Sequence, residues 1–200
     1  MTEQAYLPAM GVRWLLPFYD PFCRLAGVRR VHAQLLERAD PQPGQRVLDV
    51  GCGTGTLLGA LVRRSPTVEA IGIDPDAASL RRARAKAARA GLQISFERAY
   101  AGRLPLPDGS VDRVLSSLML HHLDDDERGR ALREVRRVLR PGGQLHVVDI
   151  AGGHGRHPRL AAVQPERVIA AMAAAGLSDP AVDGHGRVRF GRVAFYRAGR

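Results

Sequence analysis

The stretch RVLDVGCGTGTLLGALVRR, Arg46 to Arg64, most narrows what this chain can fold into. A short apolar run from Val47 to Val50, broken only by Asp49, reads as a buried strand. Gly51, Gly53 and Gly55 then alternate through a turn, and Thr56 to Arg64 carries the apolar spacing of a helix. A strand feeding a helix across a glycine turn is the opening unit of a doubly wound sheet. In such sheets ligands bind beyond the carboxyl ends of the strands, where the winding reverses. Glycines there let the backbone turn tightly and approach a ligand, and the helix N-terminus offers unpaired N–H groups to an anion.

The unit repeats along the chain. VRRVHAQLLERAD reads as a helix ending before Pro41, and PQPG as a turn. Val68 to Ile73 is a second strand. Asp76 is placed to cap a helix closed by Gly91, with Leu80, Ala83 and Ala87 as its apolar stripe and Arg82, Lys86 and Arg89 on the opposite side, which reads as a solvated outer face, with a membrane-facing basic helix as the alternative. Gln93 to Phe96 is a third strand, LPLPDGS a loop and VDRVLSSL a fourth strand. DDDERGRALREVRRVL is a helix with acids in its first turn and Leu132, Val135 and Leu139 facing inward; RPGG stops it. QLHVVDI is a fifth strand, GGHGRHP a flexible loop, and Pro165 to Ala175 a helix. Two strands finish the chain, the second being RVAFYRA. Strands alternating with helices require crossover connections, hence an α/β architecture with a parallel, doubly wound sheet.

Composition narrows the class of protein. At 200 residues, 45% of them hydrophobic, the chain suits one globular domain. No stretch approaches the ~20 apolar residues of a membrane span, and the N-terminus lacks the ordered parts of a secretory signal. Cys23 and Cys52 are too few for a disulfide framework or a structural zinc site, so a cytoplasmic location is expected. His154 and His157 have the spacing of a metal pair but no Cys or carboxylate beside them, and no metal is expected. The formal charge of +10 comes almost entirely from scattered arginines, Lys86 being the one lysine. Net charge of this kind speaks to solubility and nonspecific attraction.

Two acids sharpen the reading of the glycine turn. Asp74, in IGIDPD, lies 19 positions after Gly55, close to the ~20-residue offset at which an acid accepts ribose hydroxyls. The Gly-x-Gly-x-Gly spacing departs from the dinucleotide pattern, and Asp49 at the strand end disfavours a pyrophosphate. It suits a ligand carrying an ammonium group.

VLDVGCGTGTL, IGIDPD, RLPLPDGSVDRVLSSLMLHHL and LREVRRVLRPGGQLHVVD resemble consecutive blocks of the class I S-adenosylmethionine-dependent methyltransferases, nearest the ubiquinone/menaquinone C-methyltransferase-like and small-molecule group. The resemblance runs from about Val47 to Asp149. It implies a three-layer, Rossmann-like fold whose mostly parallel seven-stranded sheet has an antiparallel last strand. It also implies a single domain, with residues 1–40 a helical lid, 41–150 the cofactor-binding core, and 151–200 the last helix and two strands.

The resemblance further implies that Asp49 and the Gly51, Cys52, Gly53, Thr54, Gly55 loop hold the methionine portion of S-adenosyl-L-methionine, later S-adenosyl-L-homocysteine. Asp74 takes the ribose hydroxyls, Pro75 lines the adenine pocket, and Ser117 completes the set. Where relatives often place an acid for the adenine amino group, this chain has Tyr100 and Ala101. Past the fourth strand, His122 and His121 are the candidate bases. Tyr19, with Asp20, matches a Tyr-Asp pair that relatives fold over the cofactor. The Asn/Asp-Pro-Pro-aromatic block of amine-directed relatives is missing, which argues against nucleic acid as acceptor. The expected function is methyl transfer to a small-molecule or lipid/quinone-like acceptor, by a monomer or homodimer capable of peripheral membrane contact. The alternatives are an RNA or protein methyltransferase and a noncatalytic cofactor-binding partner.

Overall fold

A computed structural model describes residues 26–151 and 164–200. Tyr19, Asp20, Cys23, His154 and His157, and with them most of the expected lid, lie outside the described residues. The elements in chain order are α1 (Val28–Ala39), β1 (Arg46–Val50), α2 (Thr56–Arg64), β2 (Glu69–Asp74), α3 (Ala77–Arg89), β3 (Ser95–Arg98), β4 (Val111–Ser117), a 3-10 turn (Leu120–His122), α4 (Asp125–Val138), β5 (Leu139–Ile150), α5 (Pro165–Ala174), β6 (Ser178–Val188) and β7 (Gly191–Gly199).

The strands form one seven-stranded sheet in the order β3-β2-β1-β4-β5-β7-β6. Neighbours from β3 to β5 pair in parallel, while β7 runs antiparallel to both β5 and β6. This is the expected fold. The order reverses between β1 and β4, so the switch point lies at the carboxyl end of β1, where the glycine turn begins.

Alternation along the strands explains the three layers. Leu48 and Val50 of β1 join Val114, Leu132, Val135 and Val168 in a core beneath α4 and α5. Val47 joins Leu35, Leu58, Leu61, Leu115 and Phe195 in a second core beneath α1 and α2. On α1, Val28, Val31, Leu35, Leu36 and Ala39 are buried, so this helix is a core layer of the domain. Among the described residues no helix is long and apolar enough to cross a membrane.

The helix ends follow local chemistry. Asp76 caps α3, its carboxylate accepting from the N–H groups of Ala78 and Ser79 at 3.0 and 3.1 Å. Asp124 and Glu127 cap α4 reciprocally. On α4, Arg137 holds Glu134 while its guanidinium also donates to the carbonyls of Leu104 and Leu106 and to Asp108, pinning the loop before β4.

Two sequence expectations need correction. RPGG does end α4, but it lies within β5, which starts at Leu139. Val111 pairs with Leu139 and Arg113 with Gln144, so the extra residues are absorbed as an irregularity in register that a glycine pair permits. Lys86 does not face away into solvent: its ammonium reaches across from α3 to the hydroxyls of Thr54 and Thr56, at 3.3 and 3.0 Å.

Gly72 in β2 shows how closely the sheet and α2 meet. A Cβ there would lie 2.8 Å from the Cys52 sulfur, 2.8 Å from Phe96 and 2.9 Å from Leu58. Overfilling a packed site of this kind costs about 1–3 kcal/mol. Gly72→Ala is therefore expected to lower unfolding free energy by about that amount in urea titration, with the slope unchanged; a neutral result would show that the layer yields.

Candidate functional site

The site is built from the carboxyl ends of β1, β2, β4 and β5. Asp49 pairs in register with Gly72 on one side and Leu115 on the other, so its backbone is held by both neighbouring strands. Its side chain is 2% exposed, and Oδ1 has no hydrogen-bonding partner among the described residues. Burial first, and the negative charge of Asp74 second, push its pKa up to about 8. A buried polar atom without a partner is costly, and this one stands at the switch point.

The turn that follows is strapped to β2. The N–H groups of Gly51 and Cys52 both donate to the carbonyl of Ile73, at 2.8 and 3.0 Å. Gly51 has φ +77, and a Cβ there would collide with the Met119 side chain. Gly53, at φ +52, faces open space. Both the left-handed backbone and the close approach therefore require glycine. Cys52 turns its thiol into the core against Gly72, where burial pushes its pKa up; its side chain is a packing group. Thr54 is buried beside Thr56, and Lys86 bonds both hydroxyls. A cation thus stands at the N-terminus of α2, where the helix already favours negative charge.

Asp74 ends β2 as expected, but its carboxylate is engaged within the protein. Oδ2 accepts from the N–H of Gly53 at 2.9 Å and Oδ1 from that of Asp76 at 2.8 Å. Burial raises its pKa against those two bonds, which lower it. Each oxygen keeps a lone pair for a further donor. Pro75 follows directly, its carbonyl accepting from Arg98 Nε at 3.0 Å. Asp74 faces Arg98 across the β2–β3 ladder, which places Tyr100 and Ala101 at the same end of the sheet.

At the end of β4, Ser117 Oγ bonds Nε2 of His32 from α1 at 3.1 Å. Burial, with Lys86 adding to it, lowers the His32 pKa to about 4, so the ring is neutral. Leu118 next adopts φ 55. A left-handed leucine is strained, and such residues gather at functional sites. The chain then turns through Met119 and Leu120 to the two histidines.

His121 is held by Asp149 at the end of β5. Asp149, 0% exposed, accepts from the His121 backbone N–H at 3.1 Å and from the N–H of Ile150 at 2.7 Å. Its Oδ1 stands 2.6 Å from His121 Nδ1. A fully buried carboxylate at this distance selects Nδ1 as a donor, so the lone pair of a neutral ring falls on Nε2. The His122 ring lies with its centroid 4.0 Å from that of His121, tilted by 40°, and has no comparable orienting partner among the described residues. The structure thus brings Asp49, the glycine loop, Asp74, Ser117 and both histidines to one end of the sheet. Asp149, Lys86 and His32 also belong there, though the sequence reading left them out. Among the described residues no group of three or more His, Cys, Asp or Glu side chains is arranged to hold a metal.

Residues 47–143 match a family described as a methyltransferase domain. The chain is 37% identical over 142 residues to a demethylmenaquinone methyltransferase of Thermus thermophilus, covering 68% of this chain and 62% of that protein, so it spans under two thirds of that relative's length. Among solved structures, a SAM-dependent methyltransferase of Aquifex aeolicus superposes with a TM-score of 0.70 at 22% identity, over 90% of this chain and 96% of that one. The cyclase SpnF superposes with a TM-score of 0.73 at 23% identity, over 86% and 80%.

The charge on Asp49 carries a testable consequence. Unfolded, this carboxyl titrates near 3.8, and folded near 8. Between those values the folded chain keeps a proton that the unfolded chain has released, so raising the pH through the window favours unfolding, by at most about 1.4 kcal/mol per pH unit. Ligand-free protein is expected to lose stability across this window, and Asp49→Asn to flatten the slope. Denaturant titrations at stepped pH measure it, and an unchanged slope in the variant would contradict the assignment. The strand order, the matched segment and the relatives converge on one assignment: this chain belongs to the class I S-adenosylmethionine-dependent methyltransferases.

Proposed function

We propose that the chain binds S-adenosyl-L-methionine on the glycine turn and passes its methyl group to a small-molecule acceptor, leaving S-adenosyl-L-homocysteine. The carrying observation is the buried, unpartnered oxygen of Asp49 on the strand that feeds the glycine turn, in which Gly53 faces open space. That pair fits a zwitterionic amino-acid end. Asp49 would take the ammonium, and the α2 N-terminus with Lys86 the carboxylate. Asp74 would accept the ribose hydroxyls through its remaining lone pairs. Pro75, Tyr100 and Ala101 would flank the adenine, and Ser117, held by His32, would close the side nearest β4. A lid with Tyr19 over the cofactor belongs to the same proposal, drawn from the residues before α1, since α1 itself is a core layer.

When bound, the cofactor supplies a methyl group on a positively charged sulfur that departs as a neutral thioether. The protein's task is alignment, exclusion of water and removal of any proton that the acceptor must lose. His121 is the base: Asp149 orients the ring through Nδ1 and stabilises the imidazolium formed when Nε2 takes the proton. This supports an acceptor that gives up a proton, such as a hydroxyl or an activated ring carbon, and a quinol-like or lipid acceptor accords with the relative's name.

Calorimetric titration is expected to show binding of both S-adenosylmethionine and S-adenosylhomocysteine, lost at least tenfold in Asp74→Ala. No binding to the intact chain would sink the proposal. In a labelled-methyl assay over phenols and quinols, His121→Ala is expected to lower kcat by about 10²–10⁴ with cofactor affinity intact, and His122→Ala by less than tenfold. Cofactor binding without transfer to any acceptor would favour the noncatalytic reading.

A further inference from the structure

Tyr196 of β7 is 1% exposed, and its hydroxyl has no hydrogen-bonding partner among the described residues. Buried tyrosine hydroxyls ordinarily find one. In the antiparallel ladder Tyr196 stands opposite Val147, and Ala194 stands opposite Asp149. Residues two apart on a strand share a face. Tyr196 is therefore diagonal to Asp149, across a separation of about 7–8 Å that an aromatic ring can span. Val147, Ala194 and Tyr196 belong to the core beneath α4 and α5, so this is the face on which Asp149 lies.

The surroundings show which way the ring points along its strand. From α5 the chain enters β6 at Ser178, which pairs with Gly199, itself opposite Gln144. The helix thus ends toward the amino end of β5, and its first turn, with Glu166, lies toward the carboxyl end, where Asp149 stands. The charges of Asp149 and Glu166 both act on the phenol and add to burial in pushing its pKa up to about 12. A phenol flanked in this way keeps its proton and serves as a donor. Asp149 is not its partner, since Oδ1 is taken by His121 Nδ1 and the N–H of Ile150, and Oδ2 by the N–H of His121. An unused donor therefore lies on the acceptor side of the sheet, beside the carboxylate that orients His121.

We propose that Tyr196 determines acceptor specificity: its hydroxyl donates a hydrogen bond to a second, uncharged oxygen of the acceptor, while His121 takes the proton from the reacting group. The inference rests on the reading of His121 as the base. An anionic oxygen would be repelled by Asp149 and Glu166, whereas a hydroxyl, ether or carbonyl oxygen suits a neutral donor. A site built to bond such an oxygen discriminates against an analogue lacking it, because the buried donor is then left unpaired. The acceptor class narrows accordingly, from any molecule that releases a proton to one carrying two oxygens, such as a diphenol or a hydroxyketone.

The test is calorimetric titration of the full chain, saturated with S-adenosylhomocysteine, with phenol, catechol, resorcinol and hydroquinone. At least one of the three diphenols is expected to bind about tenfold more tightly than phenol, and Tyr196→Phe to abolish that preference with phenol affinity unchanged. Affinity of the variant for S-adenosylhomocysteine is expected to stay within about twofold of the intact chain's. Thermal unfolding of the ligand-free protein gives a second readout. Tyr196→Phe removes a hydroxyl and leaves the ring, so its midpoint is expected to equal or exceed that of the intact chain. A lower midpoint would show that the hydroxyl already has a partner and would overturn the proposal. So would S-adenosylhomocysteine binding with no diphenol preferred over phenol, or a preference that survives in the variant. No S-adenosylhomocysteine binding by the intact chain would overturn the cofactor reading, and this inference with it.

Discussion

The ligand-binding end of this molecule depends on one carboxyl group that the sheet does not allow to move. Asp49 is paired on both sides, to Gly72 and to Leu115, and it is buried. Ionising it in that position is costly unless a positive charge arrives with it. The glycine turn makes such an arrival possible. Gly51 and Gly53 take backbone angles that other residues resist, and Gly53 leaves space where a side chain would otherwise stand. An unfavourable burial and an open loop are thus two halves of one binding device, in which stability of the empty protein is given up for selectivity toward a cationic group.

The acceptor side rests on a different consequence of the same sheet. Parallel pairing of β4 and β5 sets Ser117 opposite Val148, so the residues just past both strand ends meet. His121 and Asp149 come together from positions 28 apart in sequence. The left-handed Leu118 reverses the chain over that short distance, and its N–H is secured to the carbonyl of Val148 at 2.8 Å. Strain there is offset by the strands on either side, which leaves the histidine pair at a fixed place relative to the turn.

Much of this was legible in the sequence because it rests on local rules. The turn after β1, the Asp76 cap and the helical stripe of Leu80, Ala83 and Ala87 each follow from spacing within a few residues, and the strand alternation set the architecture. What escaped depends on contacts between segments distant in the chain. Lys86 lies at helical spacing among exposed arginines, so periodicity alone assigned it to solvent; only the approach of α3 to the glycine turn gives it Thr54 and Thr56 as partners. His32 carried no motif because its significance lies in Ser117, on a strand that only the folded sheet places beside α1. Of the two histidines the sequence ranked His122 first, whereas the buried Asp149, which no local pattern could pair with either, orients His121. RPGG was read as a boundary because glycine and proline interrupt regular structure, yet an irregular register lets β5 run through them.

The central claim is that Asp49 holds a proton in the ligand-free protein and releases it to solvent when a ligand bearing an ammonium group binds. The most direct measurement is the proton balance of S-adenosylhomocysteine binding, obtained by titration calorimetry near neutral pH in buffers of differing ionisation enthalpy. The account predicts release of about one proton per ligand bound, as the group with a pKa raised to about 8 ionises, and no such release in Asp49→Asn. Binding with no proton released by the intact chain, or with the same release from the variant, would contradict it.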